Sequence, residues 1–427
     1  MLHIDHSEVR DLLLQGNIGL EKENLRIDAK GNFAQTRDPF PNDPHIVRDF
    51  CENQVEINTD VWDSVEGAME ELLSRTNVIK DTLRKLPEPE YLWPFSNPPY
   101  IKNEEDVPIA RFEGDEASKT EYREYLAKRY GRYKMTLSGI HVNYSFAEAL
   151  LQRNYEINRK KKATDLSYRE YVDRLYLDLA ERVVAYGWVV TALTAASPLM
   201  DGSYVEKKLY DVDIFPGMAS VRCGELGYWN FFTPILNYQS AASYADSIRY
   251  YVEHEWLKYP SELYYPVRLK PSGKNTLENL EAHGIDHIEL RMVDLNPLEP
   301  AGLNAKDVTF IKLFLIWLAT LPVLHLKEHE QIQAVQNYKN AAHYDLKTVN
   351  IVTPSCGMAS VVRAGKKLLS IMRDFYRDYP EEIQEVLAFE EEKLEIPEKR
   401  YAWIVRKEYA NGYVKKGLQL AVEEGRQ

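Results

Sequence analysis

Four short stretches of this chain set ionisable side chains at every second residue, the spacing that puts them on one face of a β-strand. In IGLEKENLRID (18–28), Gly19, Glu21, Glu23, Leu25 and Ile27 share one face, and Ile18, Leu20, Lys22 and Asn24 share the other. The first face ends as core yet holds two glutamates in its middle. In SGIHVNYS, His141, Asn143 and Ser145 alternate with Ile140, Val142 and Tyr144. In HIELRMVD, His287, Glu289 and Arg291 alternate with Ile288, Leu290 and Met292. The remaining stretch, DFCENQVE, reads two ways: a strand groups Phe50, Glu52, Gln54 and Glu56, whereas a helix groups Asp49, Glu52 and Glu56. Taken singly, each stretch has a plain structural reading: solvated charges on a half-exposed strand, a structural histidine, or a same-face pair between Glu289 and Arg291.

Taken together they suggest a site. If the polar faces belong to one sheet, Glu21, Glu23, Glu56 and Glu289 crowd into one cavity, and like charges at such range do not all stay ionised without compensation. One arginine and one histidine are too few. Carboxylates with a single imidazole suit Mg²⁺ or Mn²⁺, and no thiolate cluster points to zinc. An arginine two residues from a metal-binding glutamate faces the same bound group and is placed to clamp a transferring phosphoryl oxygen. The usual nucleotide loops are absent: RAGKKLL lacks the first glycine and the Ser/Thr of a P-loop, and no GxGxxG occurs. His325 and His329 lie four apart with no third ligand to suggest zinc.

The elements that must carry these residues are legible in outline. The chain has 427 residues, 44% hydrophobic and 28% charged, enough for a substantial core. Its net charge of −13 argues against nucleic acid or an acidic membrane as partner, while ATP stays compatible through bound cations. Cys51, Cys223 and Cys356 form no CxxC pair, which suits free thiols in a reducing cytoplasm. MLHIDHSEVR lacks a signal-peptide core, and the apolar runs Val183–Met200 and Phe310–Leu326 are interrupted, so both read as buried helices.

Val65, Met69, Leu72, Ile79 and Leu83 mark an amphipathic helix capped by Ser64 or Asp63. KTEYREYLAKRYGRYK reads as a helix ending near Gly131 and feeding the strand MTLSGIHVNYSF. Asp201–Tyr238 is irregular and reads as an active-site loop region. Glu262–Asp294 reads as strand, turn at Pro271–Gly273, short helix and strand. From Asn304 onward the pattern is almost wholly helical, and EEEKLEIPEKR reads as a solvated helix end. With no repeat or long linker, the expectation is an α+β fold in a single domain over 1–427, its helical part beginning near 304.

GLEKENLRID, DFCENQVEI, WPFSNPPYI, YREYLAKRYG…TLSGIHVNYS, SVRCGELGY and IDHIELRMVDLNP occur in an order and spacing that resembles the bacterial glutamate–cysteine ligases, from about Gly19 to Gly302. SGIHVN and IELR…D.NP are more distantly similar to strands of glutamine synthetase. The resemblance implies a glutamine synthetase-like curved antiparallel sheet, a funnel surrounded by helices, holding two or three Mg²⁺ ions. It implies ATP-dependent joining of L-glutamate to L-cysteine through a γ-glutamyl phosphate, the first step of glutathione biosynthesis. By the same carry-over, Glu21, Glu23, Asp49, Glu56, His141 and Glu289 fall at metal positions. Arg291 falls where the transferred phosphoryl group is contacted, and Arg222 where glutamate is held. Phe50, Tyr122, Tyr228 and Tyr264 fall at the cysteine pocket, with Asn143 beside the substrates. The family's fused form carries a second, ATP-grasp domain, which this chain is expected to lack. The competing readings are a γ-glutamyl ligase using another amine, a phosphotransferase such as a guanidino kinase, and a non-catalytic nucleotide or amino-acid sensor.

Overall fold

The computed structural model describes residues 1–204, 217–354 and 357–425. Cys356 and part of the Asp201–Tyr238 loop region lie outside them. Seven strands form one sheet: β1 (Gly16–Asp28), β2 (Ile46–Arg48), β3 (Gln54–Asn58), β4 (Glu90–Leu92), β5 (Ile140–Phe146), β6 (Val267–Lys270) and β7 (His287–Val293). Their order is β2-β3-β1-β5-β7-β6, with β4 paired to the end of β1, and every pairing is antiparallel. A small hairpin, β8 (Asn350–Val352) and β9 (Met358–Ser360), stands apart.

The period-2 pattern explains the layering. Ile18 and Leu20 of β1, Val142 and Tyr144 of β5, Ile288 and Leu290 of β7, and Val267 and Leu269 of β6 enter one hydrophobic core. The helices Val65–Arg84, Tyr168–Tyr186 and Ala305–Thr320 pack on that side. Each buried Leu, Ile or Val there contributes roughly 1.5–3 kcal/mol of apolar transfer. The other face of the same strands is left to polar groups. Ser64 caps the first of these helices by accepting from the Gly67 N–H, as the sequence predicts. Ala117–Tyr130 ends at Gly131, whose φ of +80° suits glycine. Of the run Phe310–Leu326 the part up to Ala319 is core, in the helix Ala305–Thr320, whereas Leu321–Leu326 leaves the helix with Val323 exposed, because Pro322 ends it; among the described residues no helix is long and apolar enough to cross a membrane.

Two expectations are corrected and one is refined. DFCENQVE is neither one strand nor a helix: β3 begins at Gln54, and 49–53 form a turn closed by the Gln54 N–H on Cys51 O and braced by the Glu52 N–H on Pro108 O. Glu52 therefore leaves the polar face and pairs with Arg48 at 2.7 Å. Met292 packs against the core as expected but also borders the cavity, where a register shift between β5 and β7 sets Arg291 and Met292 opposite the single residue His141. The run Glu390–Arg400 is not solvated throughout. Glu390 is 0% and Lys393 2% exposed, and the Lys393 ammonium bonds Asp307 at 2.5 Å and Glu390 at 2.8 Å. Burial of a lysine between two carboxylates is invisible to composition.

Candidate active site

The polar face of the sheet lines a cavity of about 240 Å³. Antiparallel register builds its floor: Glu21 lies across from His141, and Asn143 across from Gly19 on one side and Glu289 on the other. His141 Nδ1 is 2.9 Å from Glu21 Oε2 and 3.5 Å from Glu289 Oε1, and its Nε2 is 3.8 Å from Glu23 Oε1. Ligand atoms of Glu21, His141 and Glu289 lie within 4.8 Å of one another. Arg291 donates to Glu289 Oε1 at 2.7 Å, while Glu289 Oε2 is buried with no hydrogen-bond partner. Glu23, Asp49 and Glu56 line the same cavity.

Ionisation divides these carboxylates into two groups. Burial and the neighbouring Glu289 work against charge on Glu21, but the His141 bond and the charges of His141 and Lys270 bring its carboxyl below the usual value. Burial opposes charge on Glu289 as well, and Arg291, Lys270 and His141 overcome it, holding that carboxyl well below the ordinary range. Across the cavity the balance reverses. Burial, then Asp49, push Glu23 up to about 8 despite Arg222 and Arg291. Burial, Asp49, Glu21 and Glu23 push Glu56 well above its usual value. Glu23 and Glu56 thus hold protons that a bound cation would displace. The donor set, all oxygen plus one imidazole, fits Mg²⁺ or Mn²⁺; among the described residues Glu289 Oε2 makes no hydrogen bond and has only the Lys270 ammonium facing it, at 3.3 Å.

The walls supply more positive charge than Arg291 and His141. Arg123, Arg222, Arg268 and Lys270 also line the cavity. Three of the four spend N–H groups on main-chain carbonyls: Arg123 on Asp49 at 2.6 Å, Arg222 on Arg291 at 2.9 Å, and Arg268 on Ser261 at 2.7 Å. The charges of all four remain, and with Arg291 they set five permanent cations against the five carboxylates of the lining, Arg123 beside Asp49 and Glu56 and Arg222 beside Glu23, so the shortage of countercharge expected from the sequence is corrected. Arg268 and Lys270 alternate with Val267 and Leu269, the same period-2 signal that marks the other strands; the short VRLK run carried it unread. Arg222 lies against Gly139, where an added Cβ would stand 2.2 Å from its Cζ, so only glycine admits the guanidinium there.

Phe50, Tyr122, Tyr228 and Tyr264 form one end of the cavity with Leu126 and Met135, Tyr228 and Tyr264 having ring centroids 4.3 Å apart. Asn143 stands behind the cavity lining and donates to Glu21 Oε1 at 2.9 Å. Its own Oδ1 is buried without a partner. Cys223 lines the cavity and Cys51 lies behind it, both free, with burial pushing both thiols up in pKa. Neither is a ready nucleophile.

An antiparallel sheet with helices on one face and a carboxylate-rich cavity on the other places the chain in the α+β class, and comparison with known proteins narrows it. The glutamate-cysteine ligase family model matches residues 1–261 and 253–341. The glutathione biosynthesis bifunctional protein GshAB of Listeria monocytogenes is 35% identical over 423 residues, covering 95% of this chain and 54% of that protein. A glutamate–cysteine ligase of Clostridium acetobutylicum is 28% identical over 392 residues, 80% of each chain. The crystal structure of a bifunctional glutathione synthetase from Pasteurella multocida superposes with a TM-score of 0.85 at 26% identity, covering 100% of this chain and 54% of that one. This chain belongs to the glutamate–cysteine ligase family. It spans about half the length of the bifunctional relatives, 54% in the Listeria protein.

Proposed function

We propose that this chain joins the γ-carboxylate of L-glutamate to the amine of L-cysteine at the expense of ATP, giving γ-glutamylcysteine, ADP and phosphate. The observation that carries this reading is the cluster of Glu21, His141 and Glu289 with Arg291 beside it, sharing one cavity with an aromatic end wall in a member of this family. Divalent ions held by Glu21, His141 and Glu289 and by Glu23, Asp49 and Glu56 would offset the repulsion between a triphosphate and an attacking carboxylate.

The chain's own residues account for the rest. The γ-carboxylate oxygen of glutamate takes the γ-phosphoryl group, and ADP leaves. Arg291, fixed by Glu289, presents its guanidinium to the moving phosphoryl oxygens. Arg222, pinned on Gly139 and on the Arg291 carbonyl, binds a carboxylate of glutamate. The cysteine amine then attacks the acyl carbon, phosphate leaves, and the amine loses a proton. Phe50, Tyr122, Tyr228 and Tyr264 enclose the thiol side chain, which suits sulfur–aromatic contact, and Asn143 holds Glu21 in register beside the reactants.

We also read 1–427 as one catalytic unit. The helices Val361–Phe375 and Glu381–Glu395 share the sheet's core, Lys393 bonds Asp307, and Tyr413 bonds Asn97 O at 2.8 Å. Free buried thiols suit a cytoplasmic setting.

The test is ADP release by the purified protein with ATP, Mg²⁺ and L-glutamate across a panel of amines. Release fastest with L-cysteine, with γ-glutamylcysteine seen by mass spectrometry, supports the proposal. Faster release with another amine reassigns the aromatic wall to that acceptor. No glutamate-dependent release with any amine refutes catalysis and leaves a sensor.

A further inference from the structure

We propose that Glu262, which stands outside the cavity lining, sets the width of the aromatic end: with Asn230 it locks together the three segments that carry Tyr122 and Leu126, Tyr228, and Tyr264, and so decides which amine side chains fit. The inference rests on the reading above that this end takes the acceptor amine, and deepens it.

The walls of this end come from remote parts of the chain, and no local structure fixes their spacing. Tyr122 and Leu126 stand on the helix Ala117–Tyr130, in which Leu126 is the one buried residue, so apolar packing holds that helix weakly. Tyr228 lies in the loop after Arg222, and Tyr264 lies between the short turn Pro260–Glu262 and β6. The last of these segments is the anchored one. Arg268 of β6 donates to Ser261 O at 2.7 Å and to Leu263 O at 3.1 Å, which ties it to the sheet.

Glu262 joins the other two segments to it, with a carboxylate that is 0% exposed. Oε2 accepts the Lys258 N–H at 2.6 Å and closes its own turn. Oε1 receives the end of the helix, accepting from the Tyr130 hydroxyl at 2.7 Å and pairing with Arg129 Nε at 2.9 Å. Buried Asn230 completes the joint: its Nδ2 donates to Glu262 O at 2.8 Å and to the Tyr130 hydroxyl at 3.1 Å, and its Oδ1 accepts the Tyr264 N–H at 2.9 Å. Ring contacts carry this spacing into the cavity. Tyr130 meets Tyr264 edge-on with centroids 5.4 Å apart, Tyr264 meets Tyr228 at 4.3 Å, and the Tyr122 hydroxyl meets the Ser261 side chain. Nearer the start of the helix, Arg123 holds the Asp49 and Arg48 carbonyls. Leu126 lies between these two ties, so loosening the Glu262 end lets the helix pivot at Arg123 and draws Leu126 away from Tyr264. Glu262 touches no substrate in this scheme; it is a positioning residue.

The experiment is steady-state ADP release with ATP, Mg²⁺ and L-glutamate, titrating L-cysteine and, separately, L-homocysteine, whose side chain is one methylene longer. Wild type, Glu262→Gln and Tyr130→Phe are compared. Glutamine keeps the size of the side chain, removes the charge that holds Arg129, and turns an amide N–H toward one of the donors. The expected result is a KM for cysteine about tenfold higher in Glu262→Gln and about threefold higher in Tyr130→Phe, with kcat and the KM for glutamate little changed. The preference for cysteine over homocysteine, as a ratio of kcat/KM, should fall in both. Because both substitutions loosen one joint, the double variant should lose less than the product of the two. Tyr130→Phe keeps the ring on Tyr264 and guards against a Glu262 variant that fails to fold. Loss of folded enzyme lowers kcat alike for every substrate and leaves KM unmoved. That outcome, or a KM for cysteine within about twofold of wild type in every variant that folds, makes Glu262 a structural anchor only and overturns the proposal. Wild type that is fastest with another amine overturns the choice of cysteine instead, and the same KM comparison with that amine still decides the role of Glu262. Wild type with no glutamate-dependent release overturns both.

Discussion

Replacing Glu23 by glutamine should free the metal-stripped protein of part of a weakness at alkaline pH. In the folded chain, burial and the facing Asp49 push the Glu23 carboxyl up to about 8, against an ordinary value of 4.5. Between those values the folded state keeps a proton that the unfolded chain has released, so stability falls as pH rises across that window. The interval is about 3.5 pH units at about 1.36 kcal/mol each, an upper limit of roughly 5 kcal/mol. Glu56 answers to the same neighbours, Asp49 and Glu23 among them, so Glu23's own share should be nearer 2–4 kcal/mol. For a chain of 427 residues that is a melting shift of about 2–4 °C. Glutamine keeps an acceptor for the Gly139 N–H, now 3.0 Å from Glu23 Oε2, and so removes the titration with little change of shape. The assay is thermal unfolding in chelator at pH 5.5 and 8.5. Wild type should lose stability between the two, and Glu23→Gln should lose measurably less. Mg²⁺ should restore wild type at pH 8.5 more than it restores the variant. Parallel losses in the two proteins would refute the reasoning, because they would mean Glu23 ionises as an ordinary carboxylate.

Arg291→Lys should lower kcat by about a hundredfold or more with the fold intact, since a point charge does not reproduce a planar two-pronged donor; near-normal turnover would make the arginine structural. Asp294 is 1% exposed and accepts from Ala196 N at 2.9 Å, Ser197 Oγ at 2.7 Å and Ser220 Oγ at 2.9 Å, tying down the loop that bears Arg222. Asp294→Ala should raise KM for glutamate more than it changes kcat, and Asp294→Asn should recover part of the loss; equal effects on KM and kcat would count against a positioning role. Lys393→Met should destabilise the helical part by about 3–5 kcal/mol, because Asp307 and Glu390 are left buried without their cation. Chemical denaturation measures it, and a variant as stable as wild type would show that the carboxylates share a proton.

How far the sequence reaches depends on the range of the interaction that decides each feature. Alternation along a strand is local, so the polar faces of β1, β5 and β7 and the apolar faces behind them were readable from residue order. Helix caps and ends are local too, and Ser64 and Gly131 stand where the chain pattern puts them. The grouping of Glu21, His141 and Glu289 followed once the strands were assumed to share a sheet. The turn at 49–53 is closed locally, by the Gln54 N–H on Cys51 O and the Asp49 N–H on Gln54 O, yet no Gly or Pro marks it; only its bracing by Pro108, more than fifty residues away, is a long-range effect. That Met292 borders the cavity while packing on the core was not readable either: the β5–β7 register shift belongs to the pairing of two strands and is written in neither alone.

By itself, then, the order of residues determined which side chains could meet: carboxylates, imidazole and arginine on one strand face, with hydrophobic partners on the other, because side-chain direction repeats every two residues. Only the tertiary structure decided how they meet. Distance and burial split the carboxylates into ionised Glu21 and Glu289 and protonated Glu23 and Glu56. They buried Lys393 between two acids, and they set Lys270 and Arg222 at opposite ends of one strand. These are sums over charges and surfaces brought together from remote parts of the chain, and no local pattern contains such a sum.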